Sequence, residues 1–297
     1  MTALTSSGIV GHSVGFTTDH FVFDSPVVGD SFSVAVTAPA RRRGDLPVIY
    51  AADAHTNAAP TMAAAMSLMG DRLRPVQPFV LVTIGYADND FASSLIRRNR
   101  DFVPPDEAVP AALERHVSTP AYAQALGGID GVGRFMDRAR HGLANRFLEF
   151  LERELHPEIV RRLELGNQHA GLFGHSFGGL FSLYALTSDS MLFDKYCAAS
   201  PALIADDTTI TSRWHSLAAD HPIDLCVTLS ELEMTGPHEL YRILAANTLR
   251  FLDQAALNPS PHVRLSSSIV PDETHYSTVY ESFRRFVRFS YPERTAT

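Results

Sequence analysis

Residues 169–186, HAGLFGHSFGGLFSLYAL, decide the fold of this chain. The stretch opens on a short apolar run that is typical of a strand buried on both faces, and from Phe177 onward it suits a helix. Between the two lies GHSFG at 174–178, which matches the GxSxG pattern of a serine on a strained strand-to-helix turn. Glycine at 174 and 178 lets backbone and neighbouring strands approach closely. The pattern predicts that Ser176 is a nucleophile whose hydroxyl stands above the carboxyl ends of the strands.

Strand-like and helix-like stretches alternate through most of the chain. Further buried strands are predicted at residues 46–52, 78–86, 225–229 and 263–270. Helices are predicted at residues 61–73, 237–254 and 276–289. Ahead of them, residues 15–23 and 30–38 also suit strands, and the second alternates apolar with polar residues as antiparallel strands do. We therefore predict an α/β-hydrolase fold, a mostly parallel central sheet with helices on both faces and an antiparallel N-terminal start.

Two segments interrupt the alternation. Residues 88–142 are rich in Arg, Pro and Gly and show little apolar periodicity before Leu126, so we expect a lid or insert region there. The pattern of residues 143–163 predicts an amphipathic helix. Pro157 either kinks this helix or starts a second one. Its apolar stripe consists of Leu143, Phe147, Phe150, Leu151 and Leu155. Without an obvious linker or repeat, we expect one domain over residues 1–297.

Composition narrows the class of protein. The 297 residues are 45% hydrophobic and carry a formal net charge of −8, which disfavours nucleic-acid binding because that function needs clustered cations. Residues 1–20 lack a secretory signal pattern and no segment approaches the ~20 apolar residues of a membrane span, so we expect a cytoplasmic protein. Cys197 and Cys226 lie in apolar runs that favour burial. Without a CxxC or HExxH pattern, we expect no metal site.

A serine nucleophile needs a base within hydrogen-bond reach. In this fold the histidine comes last in the chain, on a loop after the final strand. Of the 13 histidines, His275 occupies that position, between the strand at 263–270 and the last helix. We predict that His275 is the general base. His175 adjoins the nucleophile, but its side chain is expected to point away and to pack as a support.

A carboxylate that orients the histidine is expected after the preceding strand. Residues 230–233, SELE, follow that strand directly. Glu233 is our choice for this acid and Glu231 is the alternative, while a helix N-terminal charge without a catalytic role is a third interpretation of Glu233. The oxyanion needs two backbone N–H donors. We assign one to Phe177 and the other to the turn at Ala54 and His55.

Motifs spread along the chain resemble one known family. They span about residues 25–289 and are PVIYAAD at 47–53, GY at 85–86, RNRDFVP at 98–104, FLEFL at 147–151, GHSFGGLF at 174–181, SPAL at 200–203 and THYS at 274–277. The chain resembles the esterase D-like putative esterases, and within them the siderophore (enterobactin and salmochelin) trilactone esterase branch. The resemblance implies that Ser176 and His275 act together and that Arg98 lines the substrate cleft.

The residues themselves leave the role of Arg98 open. Its planar fork suits a carboxylate or polar acyl group of the substrate, and pairing with Asp101 to staple the loop is the alternative. Three features depart from the family pattern. Ala54 stands where the family has glycine, residues 202–204 lack the tryptophan frequent in the siderophore branch, and residues 228–230 lack the usual glycine before the acid region. These departures weigh against a trilactone siderophore more than against hydrolysis.

The combined pattern predicts a serine carboxyl-ester hydrolase that acts through an acyl-enzyme and needs no cofactor. A small-molecule ester is the expected substrate, including a polyester, lactone or siderophore-like natural product. The alternative is an acyltransferase or thioesterase of a biosynthetic pathway, which would use the same serine and histidine with another acceptor. A hydrolase fold reused as a binding module is a third hypothesis, disfavoured because serine, histidine and a placed acid are all present.

Overall fold

An eight-stranded sheet forms the centre of the protein. The computed structural model describes residues 15–41, 44–88, 90–166, 169–188, 190–217 and 219–293. Within these ranges the strands are β1 (Phe16–Ser25), β2 (Asp30–Pro39), β3 (Val48–Ala51), β4 (Val80–Tyr86), β5 (Ala170–His175), β6 (Phe193–Ala199), β7 (Ile223–Ser230) and β8 (Val263–Val270). Their order is β1-β2-β4-β3-β5-β6-β7-β8. The β1–β2 and β2–β4 pairs are antiparallel and the remaining pairs are parallel, which confirms the predicted fold class.

Helices cover both faces of the sheet. They are α1 (Ala54–Gly70), α2 (Phe91–Phe102), α3 (Ala111–Val117), α4 (Pro120–Ala125), α5 (Ile129–Arg140), α6 (Ala144–Phe150), α7 (His156–Leu163), α8 (Phe177–Leu186), α9 (Thr209–His215), α10 (Glu231–Thr235), α11 (Glu239–Leu257) and α12 (Val279–Ser290). Ile49 and Ala51 share a core with α1 and α12, whereas Val48 and Tyr50 share the opposite core with α6 and α8. Successive strand residues point to opposite faces, so a continuous apolar run supplies both layers. Within the described ranges, every helix falls short of the length and apolar character needed to cross a membrane.

The turn from β5 into α8 depends on one glycine. Ser176 has φ 59° and ψ −120°, a positive φ that is costly for a residue with a side chain. A Cβ on Gly174 would lie 1.8 Å from the carbonyl oxygen of Gly178, which no real side chain tolerates. A Cβ on Gly178 would meet only ordinary contacts, the nearest at 3.6 Å. The close approach of residue 174 to the backbone of residue 178 therefore requires glycine at 174. The space around residue 178 would accommodate a Cβ, so packing does not require glycine there.

The structure departs from the sequence predictions at three elements. Strand β6 was not predicted, because Asp194 and Lys195 interrupt its apolar run. Helix α1 begins at Ala54, well before the predicted start at residue 61, and it contains Pro60, a residue that normally ends a helix. Strand β8 lies at the edge of the sheet and most of its residues are partly or fully exposed, so its prediction as a buried strand was wrong.

The segment at 88–142 is largely helical. It contains α2 to α5, although the sequence shows little apolar periodicity there. Helix α2 packs on α5, α6 and α8, so the segment lies over the face of the sheet that α8 covers. Its action as a lid stays a prediction.

The amphipathic stretch at 143–163 forms α6, a π-helical turn at Leu151–Leu155 and α7. Pro157 lies in the first turn of α7, which agrees with the second of the two predicted outcomes. Four members of the predicted apolar stripe are buried: Phe147, Phe150, Leu151 and Leu155. Leu143 is 41% exposed, so its inclusion in the stripe was wrong. It precedes α6 as the N-cap residue and does not share the helical face.

We expect Gly174→Ala to lower the free energy of unfolding by at least about 2 kcal/mol, because the added methyl group overlaps the backbone of Gly178. Gly133→Ala is the matched control. Gly133 is exposed in the middle of α5 and a Cβ there meets nothing within 4 Å, so alanine should add about 0.5–1 kcal/mol of stability. Urea unfolding followed by circular dichroism measures both variants. An unchanged midpoint for Gly174→Ala would contradict the packing argument.

Candidate active site

The backbone around Ser176 is tied into the sheet and into α8. Its N–H donates to the carbonyl oxygen of Ala199 at 2.9 Å. Its carbonyl oxygen accepts from the N–H groups of Leu180 at 3.0 Å and Ala202 at 2.9 Å. These bonds hold the strained turn and leave the side chain free. The Ser176 hydroxyl lies 3.0 Å from Nε2 of His275.

His275 lies in the loop between β8 and α12 and is only 5% exposed. Its Nδ1–H donates to Oε1 of Glu233 in a short hydrogen bond. This leaves Nε2 as the acceptor for the Ser176 hydroxyl. The backbone carbonyl oxygen of His275 accepts from Nε2–H of His175 at 2.6 Å. Burial lowers the pKa of His175 well below its usual value, so this side chain is a neutral support that positions the loop.

Glu233 is 1% exposed and uses both carboxylate oxygens. While Oε1 faces His275, Oε2 accepts from the Ser200 hydroxyl at 2.8 Å and from the N–H of Ser230 at 2.9 Å. Ser230 and Glu233 form a capping box at the start of α10, the S-x-x-E arrangement that satisfies free N–H groups at a helix start. Glu233 is thus both the charged residue at the start of α10 and the partner of His275.

Glu231 faces a different group from Glu233. Its Oε2 accepts from the N–H of Asp272 at 2.9 Å, at the exposed surface of the turn after β8. The structure brings together Ser176, His275 and Glu233, and it does not bring Glu231 to the histidine. The helical offset of two residues between the glutamates explains this separation, because residues two apart do not share a helix face.

Arg98 lies beside the strand-to-helix turn at Ser176, but two of its guanidinium nitrogens are already bound. Its Nε and Nη2 bind the carboxylate of Asp53 at 2.6–3.1 Å, and both side chains are almost fully buried. The predicted alternative, a pair with Asp101, is wrong, because Arg100 and the Tyr86 hydroxyl occupy that carboxylate. The Nε and Nη2 edge of the guanidinium is therefore not free for a substrate carboxylate. Nη1 has no hydrogen-bond partner among the described residues, and Arg98 does line the cleft.

Arg98 connects the two proposed oxyanion loops. Asp53 precedes α1 in the left-handed region, with φ 60°, and its carbonyl oxygen accepts from the N–H groups of Thr56 and Asn57. The guanidinium carbon of Arg98 lies 5.2 Å from the centre of the Phe177 ring, at the start of α8. The first N–H groups of both helices have no acceptor within their own helix. Ala54, His55 and Phe177 therefore occupy positions whose N–H groups are free to serve an oxyanion.

A cavity of about 300 Å³ opens beside Ser176. Its walls come from α1, α8, α11 and the 88–142 segment. This segment contributes residues of α2 and, beyond it, Leu113, His116, Tyr122 and Phe135. Most of the lining is aliphatic or aromatic. Burial lowers the pKa of His55, and it lowers the pKa of His116 to about 4, so both imidazoles are neutral near pH 7.

Three residues around the Glu233–His275 pair were not predicted from the sequence. Tyr241, from α11, stacks on the His275 ring with centroids 4.5 Å apart and an interplanar angle of 14°. His238 stacks on the far face of Tyr241 at 4.2 Å. Ser200, with φ 41°, donates to Glu233 from the end of β6. Ser200 appeared in the sequence only within the SPAL motif of the family resemblance, because the strand β6 before it was not predicted. Nothing in α11 marks Tyr241, because aromatic residues on a helix usually indicate core packing.

Comparisons with known proteins identify the family of the chain. The "Putative esterase" family model matches residues 125–233, which include the elbow and Glu233. The ferri-bacillibactin esterase of Bacillus subtilis (strain 168) is 30% identical over 251 residues, which cover 82% of this chain and 78% of that protein. The chain belongs to the putative esterase family. This esterase lies in the siderophore esterase branch and is an ester-hydrolysing enzyme.

A second relative of this esterase matches over a shorter region. The apo-salmochelin esterase of Escherichia coli O6:H1 is 29% identical over 194 residues, which cover 64% of this chain and 50% of that protein. Among solved structures, a siderophore hydrolase from Aspergillus nidulans has a TM-score of 0.71 at 20% identity and covers 97% of this chain and 100% of that one. The BES protein from Bacillus cereus has a TM-score of 0.72 at 21% identity, with 95% and 98% covered. At these identities the two structures support the fold of the esterase.

We expect Glu233→Gln to lower kcat by about 10²–10⁴-fold, because an amide offers one acceptor oxygen where the carboxylate offers two and does not stabilise an imidazolium. Glu231→Gln is the matched control, two residues away on the same short helix, and it should change kcat less than about threefold. Steady-state hydrolysis of a p-nitrophenyl ester measures both. A larger loss in Glu231→Gln than in Glu233→Gln would reverse the assignment.

We expect Arg98→Leu to lower the free energy of unfolding by about 3–5 kcal/mol, because it leaves the Asp53 carboxylate buried without a counter-charge. Arg115→Leu removes an exposed ion pair with Glu239 and should cost less than about 1 kcal/mol. Urea unfolding compares the two. Equal losses would mean that the Arg98–Asp53 pair does not act as a buried ion pair.

Proposed function

We propose that this esterase cleaves carboxylic esters through an acyl-enzyme on Ser176. The observation that carries the proposal is the unbroken hydrogen-bond chain from Glu233 through His275 to the Ser176 hydroxyl, at the edge of an apolar cleft. His275 takes the proton of Ser176 as the hydroxyl oxygen attacks the ester carbonyl carbon. It then returns that proton to the departing alcohol oxygen. Glu233 fixes the tautomer of His275 and stabilises its protonated form.

Two backbone N–H groups hold the tetrahedral oxyanion in this proposal. One belongs to Phe177, directly after the nucleophile, and the other to the turn at Ala54 and His55. The N-terminus of α8 adds a partial positive charge at the same place. The Arg98–Asp53 pair contacts both the turn at Ala54 and the start of α8 at Phe177, and it sets the distance between them. The acyl-enzyme is then hydrolysed by a water molecule that His275 activates in the same way.

We assign a siderophore-type ester to this cleft. Support comes from the relatives, since the two curated proteins are named for ferri-bacillibactin and apo-salmochelin hydrolysis. Further support comes from the aromatic lining of the cleft, where Phe91, Phe135, Tyr241 and Tyr276 offer faces and edges to aromatic acyl groups. The 88–142 segment supplies one wall of the cleft.

Ser176→Ala tests the mechanism. We expect turnover of short and medium acyl p-nitrophenyl esters, and of a cyclic trilactone, to fall by at least about 10³-fold, because no acyl-enzyme forms. Ser182→Ala is the matched control: Ser182 lies further along α8, is fully buried and does not line the cleft, and its hydroxyl has no hydrogen-bond partner among the described residues. Its activity should stay within about twofold of the wild type. Wild-type turnover in Ser176→Ala would refute the proposal.

A further inference from the structure

A second pocket lies beside the cleft at Ser176. Its floor comes from β1, β2 and β4, and its walls come from the beginnings of α1 and α2. Its volume is about 430 Å³. His55 and Phe91 line both this pocket and the cleft, and their rings meet edge to face with centres 5.9 Å apart. The two spaces therefore adjoin at these two rings.

Small residues keep the second pocket open. Ala35, Ala54, Ala58 and Gly85 line it, and none of them has an atom beyond Cβ. A Cβ on Gly85 would lie 3.1 Å from the Cβ of Ala54, so a larger residue there would press on the turn that we assign to the oxyanion. The missing side chain at 85 therefore leaves room for both the pocket and that turn.

Two buried side chains bring unpartnered hydroxyl groups to the second pocket. Thr83, on β4, is 4% exposed, and Ser94, on α2, is 3% exposed. Among the described residues, neither hydroxyl has a hydrogen-bond partner. A side-chain hydroxyl that folding withdraws from bulk water normally keeps at least one hydrogen bond. Both hydroxyl groups are therefore available to a bound molecule.

The floor of the second pocket is polar as well. Nε2 of His20 and the Ser33 hydroxyl lie 2.7 Å apart, and both residues line the pocket. His20 lies opposite Ala35 on β2, which lies opposite Thr83 on β4, so the three strands present these side chains on one face of the sheet. Because hydroxyl groups both donate and accept hydrogen bonds, this lining fits a group that does the same, such as an amide.

The order of the strands decides which end of an ester extends toward the second pocket. Ser176 follows β5, and only β3 separates β5 from β4 in the floor of the pocket. His275 comes from the other direction, after β8 at the far edge of the sheet. The departing alcohol oxygen lies next to Nε2 of His275, which returns the proton to it. The acyl group on Ser176 therefore extends the opposite way, past His55 and Phe91.

We propose that the second pocket binds the far end of the acyl group and recognises an amide there through the hydroxyl groups of Thr83 and Ser94. The inference rests on the proposed acyl-enzyme at Ser176 and adds a recognition site for its acyl group. The hydroxyl groups donate to the amide oxygen, while the mostly apolar cleft holds the chain between the amide and the ester. The antiparallel N-terminal strands, which supply none of the three residues Ser176, His275 and Glu233, thereby take part in substrate recognition.

Two p-nitrophenyl esters of equal acyl length test the hydrogen bonds. One is the ester of N-acetyl-ε-aminocaproic acid, which has an amide near its end, and the other is the nonanoate, which has none. We expect Ser94→Ala to lower the ratio of kcat/KM, amide ester over nonanoate, by about fivefold, because one hydrogen bond to the amide is lost. Thr83→Val keeps the shape of the side chain and should lower the ratio by a similar factor.

Ser182→Ala is the matched control for Ser94→Ala. It removes another buried helical hydroxyl that has no partner among the described residues, and Ser182 lines neither the cleft nor the second pocket. The ratio should stay within about twofold of the wild type. Release of p-nitrophenolate is followed for every variant. An equal change of the ratio in Ser94→Ala and Ser182→Ala would overturn the inference.

Ala58→Leu tests the pocket by filling it, since Ala58 lines the second pocket and not the cleft. We expect kcat/KM for the amide ester to fall at least about tenfold relative to p-nitrophenyl acetate, whose acyl group is too short to reach the pocket. Ala59→Leu, at the next and exposed position of α1, is the control and should leave this ratio within about twofold. Wild-type ratios in Ala58→Leu, Ser94→Ala and Thr83→Val, with Ser176-dependent cleavage of the acetate, overturn the second pocket and leave ester hydrolysis intact. Failure of the folded wild type to cleave any of the three esters overturns ester hydrolysis itself, and the inference with it.

Discussion

The close approach of Gly174 to the carbonyl oxygen of Gly178 holds the rest of the site in place. Because no Cβ intervenes, β5 passes directly into α8 and the chain reverses within one residue, Ser176. That residue takes up the strain as a positive φ. Its backbone bonds to Ala199 and Ala202 anchor the turn to the neighbouring strand end. These bonds hold the backbone of Ser176 in its strained conformation.

The site is assembled from the carboxyl ends of adjacent strands. Asp53 follows β3, Ser176 follows β5, Ser200 follows β6, and Glu233 follows β7. His275 comes from the loop after β8 and completes the row. Parallel strands place all these ends on one edge of the sheet, so short side chains are enough to connect them. Asp53, Ser176, Ser200 and Asp272 are four of the five non-glycine residues with positive φ in the described chain, and each adjoins this edge. Backbone strain is concentrated where the chemistry is proposed.

Charged side chains are distributed differently on the two sides of Ser176. Beneath it, carboxylates are buried with full sets of partners: Glu233 with His275, Ser200 and Ser230, and Asp53 with Arg98. Above it, the cleft lining is mostly apolar, and burial keeps the imidazoles of His55, His116 and His175 neutral near pH 7. Satisfied buried charges fix the geometry of the reacting groups. The two properties are separable, since they reside on different residues.

The sequence by itself determined the fold class, the elbow at Ser176, the position of His275 after the last strand and the choice of the loop after β7 for the acid. Each of these depends on local order along the chain, in which an apolar run, a glycine or a turn acts within a few residues. The tertiary structure alone decided which glutamate meets the histidine, because Glu231 and Glu233 differ only in the helix face they occupy. It also decided that Arg98 binds Asp53 and not Asp101, since those partners are 45 and three positions away and spacing does not distinguish them. Strand β6 was not predicted because two charged residues interrupt its apolar run. The role of Tyr241 was not predicted because its stacking on the His275 imidazole depends on how α11 packs. Contacts of this kind join distant parts of the chain, and pattern along the sequence carries no information on the angle or depth at which two elements meet.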